Sequence, residues 1–381
     1  MDFSLSKEQQ DIQRAAREFA MGEFPDRALE FDRDESFDLS LWKKACQLGF
    51  VGLGMEEKYG GSGLGHFEQV LVVEEFSAVD LGITQAVLSP AFGSELLSLF
   101  GTEEQRIRYI PPLIRGEAIM GTAITEPDAG SDVAAAITMA VRDGDEYVIN
   151  GSKMFITNGT LANYLLVFCL TNPDNPDRHQ RFSFFLVETD RPGYAANKLK
   201  GKMGLRASDT AEISFHDVRI PATNLVGEEG NGFKELMHLF NSSRVDVAAM
   251  GVGISRAALN ESISYAKKRK QFGVAIASFQ TTQFKIAEMA TRIQAAKTLC
   301  YSAAWLIDNG RMDPSLVAMA KWFSGEVAVQ CADVALQLHG GYGYLDEYKV
   351  QRIYRDAKVL EIYEGTKEIE KLIIAHELLG R

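Results

Sequence analysis

Apolar residues recur at helical spacing toward both ends of the chain and at strand spacing in its middle. Residues 5–117 read as mostly helical. In Ser6-Lys7-Glu8-Gln9, Ser6 stands three residues before Gln9, which predicts a capping box at a helix start. Gly101-Thr102-Glu103-Glu104 introduces a further helix that includes Gln105 to Leu113. Between them, Tyr59-Gly60-Gly61-Ser62-Gly63-Leu64-Gly65 reads as a connecting loop, because no Lys-Ser/Thr pair follows as it would in a phosphate-cradling loop. From about Ala118 to Val226 strand signals dominate. Glu146–Ile149 and Lys153–Ile156, separated by Asn150-Gly151, predict a hairpin with a two-residue turn. Tyr164–Phe168 is apolar along its length, as suits a strand buried on both faces. Phe182–Val187 is another strand, and Ala211–Phe215 alternates as a half-buried strand does. Asn172–Asp177 is a polar turn, and the whole region reads as a compact antiparallel sheet. After Gly230-Asn231-Gly232 the helical period returns, over Phe233–Lys270 and Phe279–Asp308. A third helix starts at Asp313-Pro314, a good N-cap and N1 pair, and runs to Gly340. With a shorter C-terminal helix these suffice for a four-helix bundle. The expected division is 1–117, 118–226 and 227–381.

Composition narrows the function. A chain of 381 residues suits two or three packed domains. A net charge of −12 argues against a nucleic-acid phosphate binder, which needs a basic face. Cys46, Cys169, Cys300 and Cys331 are far apart and read as reduced core residues. The six histidines form no H-x-x-x-H pair, so nothing points to a metal. Met1-Asp2-Phe3-Ser4 lacks the basic and apolar regions of a leader, and no apolar run approaches the ~18 residues of a membrane span. The expected location is cytoplasmic, or the mitochondrial matrix if a transit peptide has been removed. Gly251-Val252-Gly253-Ile254-Ser255-Arg256 begins like a dinucleotide fingerprint. No strand precedes it and its third glycine is missing, so it predicts a helix-packing site.

Six segments carry candidate chemistry. Tyr363-Glu364-Gly365-Thr366 precedes an apolar-periodic run, so Glu364 belongs to a loop or first turn at a helix N-terminus. There it could simply complement the helix dipole, with Gly365 allowing the bend. Thr125-Glu126-Pro127-Asp128-Ala129-Gly130-Ser131-Asp132 is a turn that exposes backbone and hydroxyl donors. Lys153-Met154-Phe155-Ile156-Thr157 carries an aromatic that, taken by itself, reads as sheet core. Arg206 and Asp209, within Lys202–Thr210, read as an ordinary surface pair. Arg269-Lys270-Gln271-Phe272-Gly273 has the look of a helix C-cap. Gln337-Leu338-His339-Gly340-Gly341-Tyr342-Gly343 has that of a helix stop.

Taken together and in this order, the segments resemble the acyl-CoA dehydrogenase family along essentially the whole chain. The resemblance implies an α+β protein: an N-terminal helical domain, a middle antiparallel β domain and a C-terminal four-helix bundle. FAD would lie between them in a homotetramer. It implies that Thr125 bonds the pyrimidine edge of FAD and that Gly130 and Ser131 face the cofactor or the acyl-CoA. Phe155, where many members have Trp, would stand beside the isoalloxazine, with the Thr157 hydroxyl meeting it. Arg269 and Phe272 would reach the pyrophosphate of a neighbouring subunit's FAD, along which Gln337, Gly340 and Gly341 also lie. Thr366 joins the cofactor set, and Tyr363, Gly365 and Arg244 the substrate side. Glu364 would be the base that takes the α-proton as hydride passes to flavin N5, and its N–H would help hold the enolate oxygen. A subset of the family carries its base where this chain has Ser243, which cannot serve. Electron-transfer flavoprotein is the implied acceptor. A reductase or oxidase on the same scaffold, or a non-catalytic binding protein, are the alternatives. For the substrate, Phe67 to Gln105 contains no Lys, Arg or His. A dicarboxylic acyl group such as glutaryl would therefore be buried unpaired. Leu88, Pro90 and Phe92 point to an apolar, short pocket for a short, branched or alicyclic acyl group.

Overall fold

A computed structural model describes residues 4–380; Met1–Phe3, part of the stretch read for a leader, lie outside the described residues. Ser6 does begin the first helix with a reciprocal box: its Oγ accepts from Gln9 N at 3.1 Å and Gln9 Oε1 accepts from Ser6 N at 2.9 Å. That helix, α1 (Lys7–Glu23), is followed by α2 (Pro25–Asp34), α3 (Leu39–Gln47), α4 (His66–Ser77), α5 (Leu81–Leu88), α6 (Ser94–Phe100) and α7 (Glu103–Ile114). Phe19, Phe24, Phe50 and Phe76 stack into one aromatic core at the centre of these helices.

The middle strands are β1 (Met120–Ala123), β2 (Met139–Asp143), β3 (Glu146–Thr157), β4 (Tyr164–Leu170), β5 (Phe182–Glu188), β6 (Tyr194–Lys198), β7 (Thr210–Pro221) and β8 (Leu225–Val226). They form one sheet in the order β6-β7-β3-β2-β4-β5-β8, with β1 also on β4. Most pairings are antiparallel, but β1 and β2 both run parallel to β4, so the sheet is mixed. Tyr164–Phe168 is buried throughout, as its unbroken apolar run predicts. The expected turn at Asn150-Gly151 is not there. β3 runs straight through those residues and shifts register against β7 between Ile149 and Gly151. The Asn150 amide is held across this bulge by Asp217, at 3.0 and 2.9 Å, and a Cβ on Gly151 would lie 2.6 Å from Thr138 Oγ1. The hairpin turns instead at Gly144-Asp145, where Asp143 pairs with Glu146.

Past the sheet come α8 (Gly232–Lys268), a two-strand hairpin of β9 (Lys270–Gln271) and β10 (Val274–Ala275), α9 (Gln280–Asp308), α10 (Pro314–His339), α11 (Lys349–Ala357) and α12 (Lys367–Leu379). Asp313 caps α10 by accepting from Leu316 N at 3.0 Å. The long helices pack as the bundle expected, with α11 an added element. Gly251 and Gly253 are packing positions: a Cβ on Gly251 would meet Ser324 of α10 at 2.9 Å, and one on Gly253 the Glu74 carbonyl of α4 at 2.5 Å. Buried Glu74 and Glu75 of α4 then pair with Arg256 of α8, and Glu75 also with Arg17 of α1. The close approach and the ion pairs together fix α4 on α8. The cavity described next lies between these helices.

Candidate active site

The loop between α11 and α12 carries Glu364. Its backbone is left-handed at two successive residues, Glu364 (φ 56°) and Gly365 (φ 105°), before Thr366 caps α12 by accepting from Ile369 N. Such a loop persists only when its surroundings over-determine it. Here Arg244 Nε donates to the Glu364 carbonyl at 2.8 Å, and Lys321 Nζ donates to the Gly365 carbonyl. Glu370, fully buried on α12, supplies the counter-charge 3.1 Å from Arg244 Nε, and neither of its oxygens accepts a hydrogen bond. A Cβ on Gly365 would lie 2.1 Å from Glu370 Oε1, so glycine is required twice over. Burial pushes Glu370 up to about 7 and pulls Lys321 down to about 8.

The Glu364 carboxylate points to α8, where Ser243 Oγ donates to its Oε2 at 2.7 Å. Burial raises its pKa above the ordinary carboxylate range, while the Ser243 hydroxyl, Arg244 and Lys321 oppose the rise. A raised pKa lets the ionised carboxylate take up a proton more readily, the property a general base needs. It opens on a cavity of about 110 Å³. Leu88 and Phe92 stand in its wall with Val72, Val247, Met250 and Tyr363; Pro90 is buried outside it. The lining departs from the apolar floor expected. Glu95 of α6 and Asp246 of α8 also face the cavity, with Gln69 and Gln85.

Thr125, Phe155 and Thr157 come together because Met154 N donates to the Thr125 carbonyl at 2.8 Å. Beneath them, buried Glu126 accepts from Lys153 Nζ (2.8 Å), Ile137 N (2.7 Å) and Thr138 N (2.9 Å), which locks the two segments to each other. Phe155 is no core aromatic. It is 64% exposed with φ 61°, and Thr157 is half-buried beside it. Gly130 and Ser131 are exposed. Arg206 and Asp209 are not a surface pair. Asp209 is buried and holds the Thr160 N–H and hydroxyl at 3.0 and 2.9 Å, which leaves Arg206 to Glu35 at 2.7 Å.

Arg269 ends α8, and Phe272-Gly273 forms the tip of the β9–β10 hairpin, both at positive φ. Arg269, Gly340 and Gly341 line a second hollow with Tyr265, Gln271 and Tyr342, apart from Glu364. Gln337 is exposed one turn earlier on α10 and outside that wall. The Arg269 guanidinium lies 5.3 Å over the Tyr342 ring and has no ion-pair partner among the described residues. A Cβ on Gly340 or Gly341 would meet nothing. An unspent guanidinium beside open glycine backbone fits a pyrophosphate. With the exposed aromatic of the Thr125–Thr157 surface, the residues present fit FAD.

Lys321, Glu370, Glu95 and Asp246 escaped the sequence reading. Asp246 alone left a usable sign, three residues after Ser243 and hence on the same helix face.

Comparison with known proteins bears on the whole chain. Three family models match: the acyl-CoA dehydrogenase N-terminal domain over residues 6–117, the middle domain over 121–218 and the C-terminal domain over 230–379. A probable acyl-CoA dehydrogenase of Bacillus subtilis is 43% identical, and the match covers all of both chains. An NADH-linked acryloyl-CoA reductase of Anaerotignum propionicum is 41% identical over all of this chain and 97% of its own. The structure of butyryl-CoA dehydrogenase from Megasphaera elsdenii superposes with a TM-score of 0.95 over the full length of both, at 37% identity. With the helical, sheet and bundle regions each matched by its own domain model, the chain belongs to the acyl-CoA dehydrogenase family, oxidoreductases that act on CH–CH bonds.

Proposed function

We propose that this protein is an FAD-dependent dehydrogenase of a short, branched or alicyclic acyl-CoA whose acyl body is apolar, with Glu364 as the base. One observation carries the reading: a carboxylate of raised pKa, held by Ser243 and clamped through its own carbonyl by Arg244, opens on a cavity between α4, α5 and α8. Glu364 takes the α-proton of the thioester. The Glu364 N–H, which donates to no backbone carbonyl among the described residues, is free to hold the developing enolate oxygen. Thr125, Ser131, Phe155, Thr157 and Thr366 would hold FAD from one chain, and Arg269, Phe272, Gln337, Gly340 and Gly341 from a neighbour in a homotetramer; the cofactor would supply the acceptor for the β-hydride at N5. The hollow of Arg269, Gly340 and Gly341 includes none of Thr125, Phe155 and Thr157, which supports that division. Arg244, Tyr363 and Gly365 shape the substrate side, electron-transfer flavoprotein takes the electrons, and the domains divide at 117/118 and 226/227. The acryloyl-CoA reductase among the relatives favours a second reading, physiological reduction. Protonated Glu364 would then return the α-proton by the same path.

The test is anaerobic bleaching of the flavin by a panel of acyl-CoAs. Glu364→Gln should retain FAD and bind acyl-CoA, with flavin reduction slowed by roughly 10²–10⁴-fold. Near-normal reduction in this variant would move the base to another residue. Glutaryl-CoA should be a poor substrate, since no basic side chain lines the cavity; efficient oxidation of it would overturn the charge argument.

A further inference from the structure

Among the described residues, three carboxylates face the acyl cavity and no Lys, Arg or His lines it. Glu364 is spoken for by the reaction. The other two come from different helices. Glu95 stands in the first turn of α6, where its Oε2 accepts from Gly93 N at 3.1 Å, and the helix dipole accounts for its presence there. No such account covers Asp246, deep in the middle of α8. One of its oxygens accepts from Gln69 Nε2 at 2.5 Å; the other, Oδ1, is withdrawn from solvent and has no hydrogen-bond partner. Gln85 Oε1, from α5, is equally buried and equally unpartnered in the same wall. Acceptors from three helices thus converge on one cavity, and the Gln69 amide in its wall is already given to Asp246. Of the nearby cations, Arg244 and Lys321 are committed to the Glu364-Gly365 carbonyls, and His66, bonded to Asp308 at 3.2 Å and outside the lining, acts on the two carboxylates only through space. Buried acceptors without donors are costly, and like carboxylates in one cavity repel. A ligand that brings a donor and a positive charge resolves both.

We infer that Glu95, Asp246 and Gln85 form a subsite for an ammonium group carried on the acyl chain, so that the substrate class is a short amino-acyl-CoA with an apolar body. This rests on the reading of the cavity as the acyl pocket. The ammonium meets Asp246 and Glu95 as ion pairs and donates a further charge-assisted hydrogen bond to Gln85 Oε1. Asp246 is three residues from Ser243, which holds the base, so the subsite lies one helical turn from the reacting end of the chain.

Binding to FAD-loaded Glu364→Gln protein tests the subsite without turnover, by calorimetry. The probes are two isosteric pairs, each differing only by ammonium against methyl: β-alanyl-CoA against butyryl-CoA, and trans-4-aminocyclohexanecarbonyl-CoA against its trans-4-methyl analogue. In at least one pair the ammonium form should bind about tenfold more tightly or better. Asp246→Asn combined with Glu95→Gln should abolish that preference while leaving the affinity for the methyl form within about threefold. Methyl forms binding as well as or better than ammonium forms in both pairs would overturn the inference. So would a preference that survives the double substitution, or equal binding of 3-hydroxypropionyl-CoA and β-alanyl-CoA where the short pair shows the preference, since a neutral donor would then suffice. Reduction of the wild-type flavin by butyryl-CoA, and its loss in Glu364→Gln, test the dehydrogenase reading separately.

Discussion

At the scale of single residues, the proposed base Glu364 is tuned by what touches it. The Ser243 hydroxyl donates to the ionised form of Glu364 and so holds its pKa down against burial. Ser243→Ala removes that donor, and the Glu364 pKa must rise. The base works ionised, so the limb on which flavin reduction speeds up with pH should move upward by about one pH unit. Well above both pKa values the two proteins should converge. A stopped-flow pH profile of substrate-driven flavin reduction decides it. A uniform loss at every pH would show that Ser243 only shapes the cavity. The sequence already singled out Ser243 as unable to be a base and Arg244 as a neighbour of the site. It could not show Glu370 and Lys321, because Lys321 donates to the Gly365 carbonyl 44 residues along the chain and Glu370 faces Arg244 of α8. Only the fold brings those atoms together. Glu95 was invisible for the same reason, while Asp246 showed only as a residue one turn from Ser243; their presence corrected the expectation of an apolar floor.

At the scale of elements, the helices were legible because amphipathic period, N-caps and breakers agree. Ser6 and Asp313 cap as their sequence contexts predict, and Thr102 caps the helix that its segment introduces. The sheet was legible in its buried strands and misread at Asn150-Gly151. That dipeptide signals a two-residue turn in isolation, yet cross-strand bonds to Asp217 convert it to a bulge. Equally hidden was the link between two flavin segments. Lys153, fully buried, pairs with Glu126, and Glu126 in turn holds the N–H groups of Ile137 and Thr138. Burial pulls the Lys153 pKa down, while Lys153 and the backbone donors hold that of Glu126 down. Removing one partner strands the other charge. Lys153→Met should therefore destabilise the fold by about 3–5 kcal/mol and weaken FAD retention, because Thr125 and Phe155 are positioned through this pair. Adding Glu126→Gln to Lys153→Met should recover part of the stability. Denaturant unfolding of the single and double variants measures both. A Lys153→Met protein as stable as wild type would show that Glu126 is held well enough by backbone N–H groups alone.

At the scale of the whole molecule, one chain leaves apolar surface that a single copy does not use. Phe272 is 95% exposed at the tip of a hairpin whose backbone is bent to project it, and Tyr344 is 83% exposed beside the Arg269–Gly341 hollow. Large aromatics held out on ordered backbone are characteristic of interfaces rather than of a free surface. The hollow they flank has an unspent guanidinium and open glycine backbone but lacks Glu364, Thr125 and Phe155. A pyrophosphate subsite placed away from its ring subsite makes sense when two copies complete each other. Assembly and cofactor retention should then fail together. Wild-type protein should sediment as a tetramer with one FAD per chain. Phe272→Glu buries a charge at the contact, and should shift the protein to smaller species and lower its bound flavin at equal concentration, while the far-ultraviolet circular dichroism of the chain stays unchanged. Arg269→Ala should lower flavin content with less effect on mass, since the guanidinium serves the cofactor more than the contact. A wild-type protein that sediments as a monomer and still holds one FAD per chain would refute the shared site, and would require Arg269, Gly340 and Gly341 to serve some other anion.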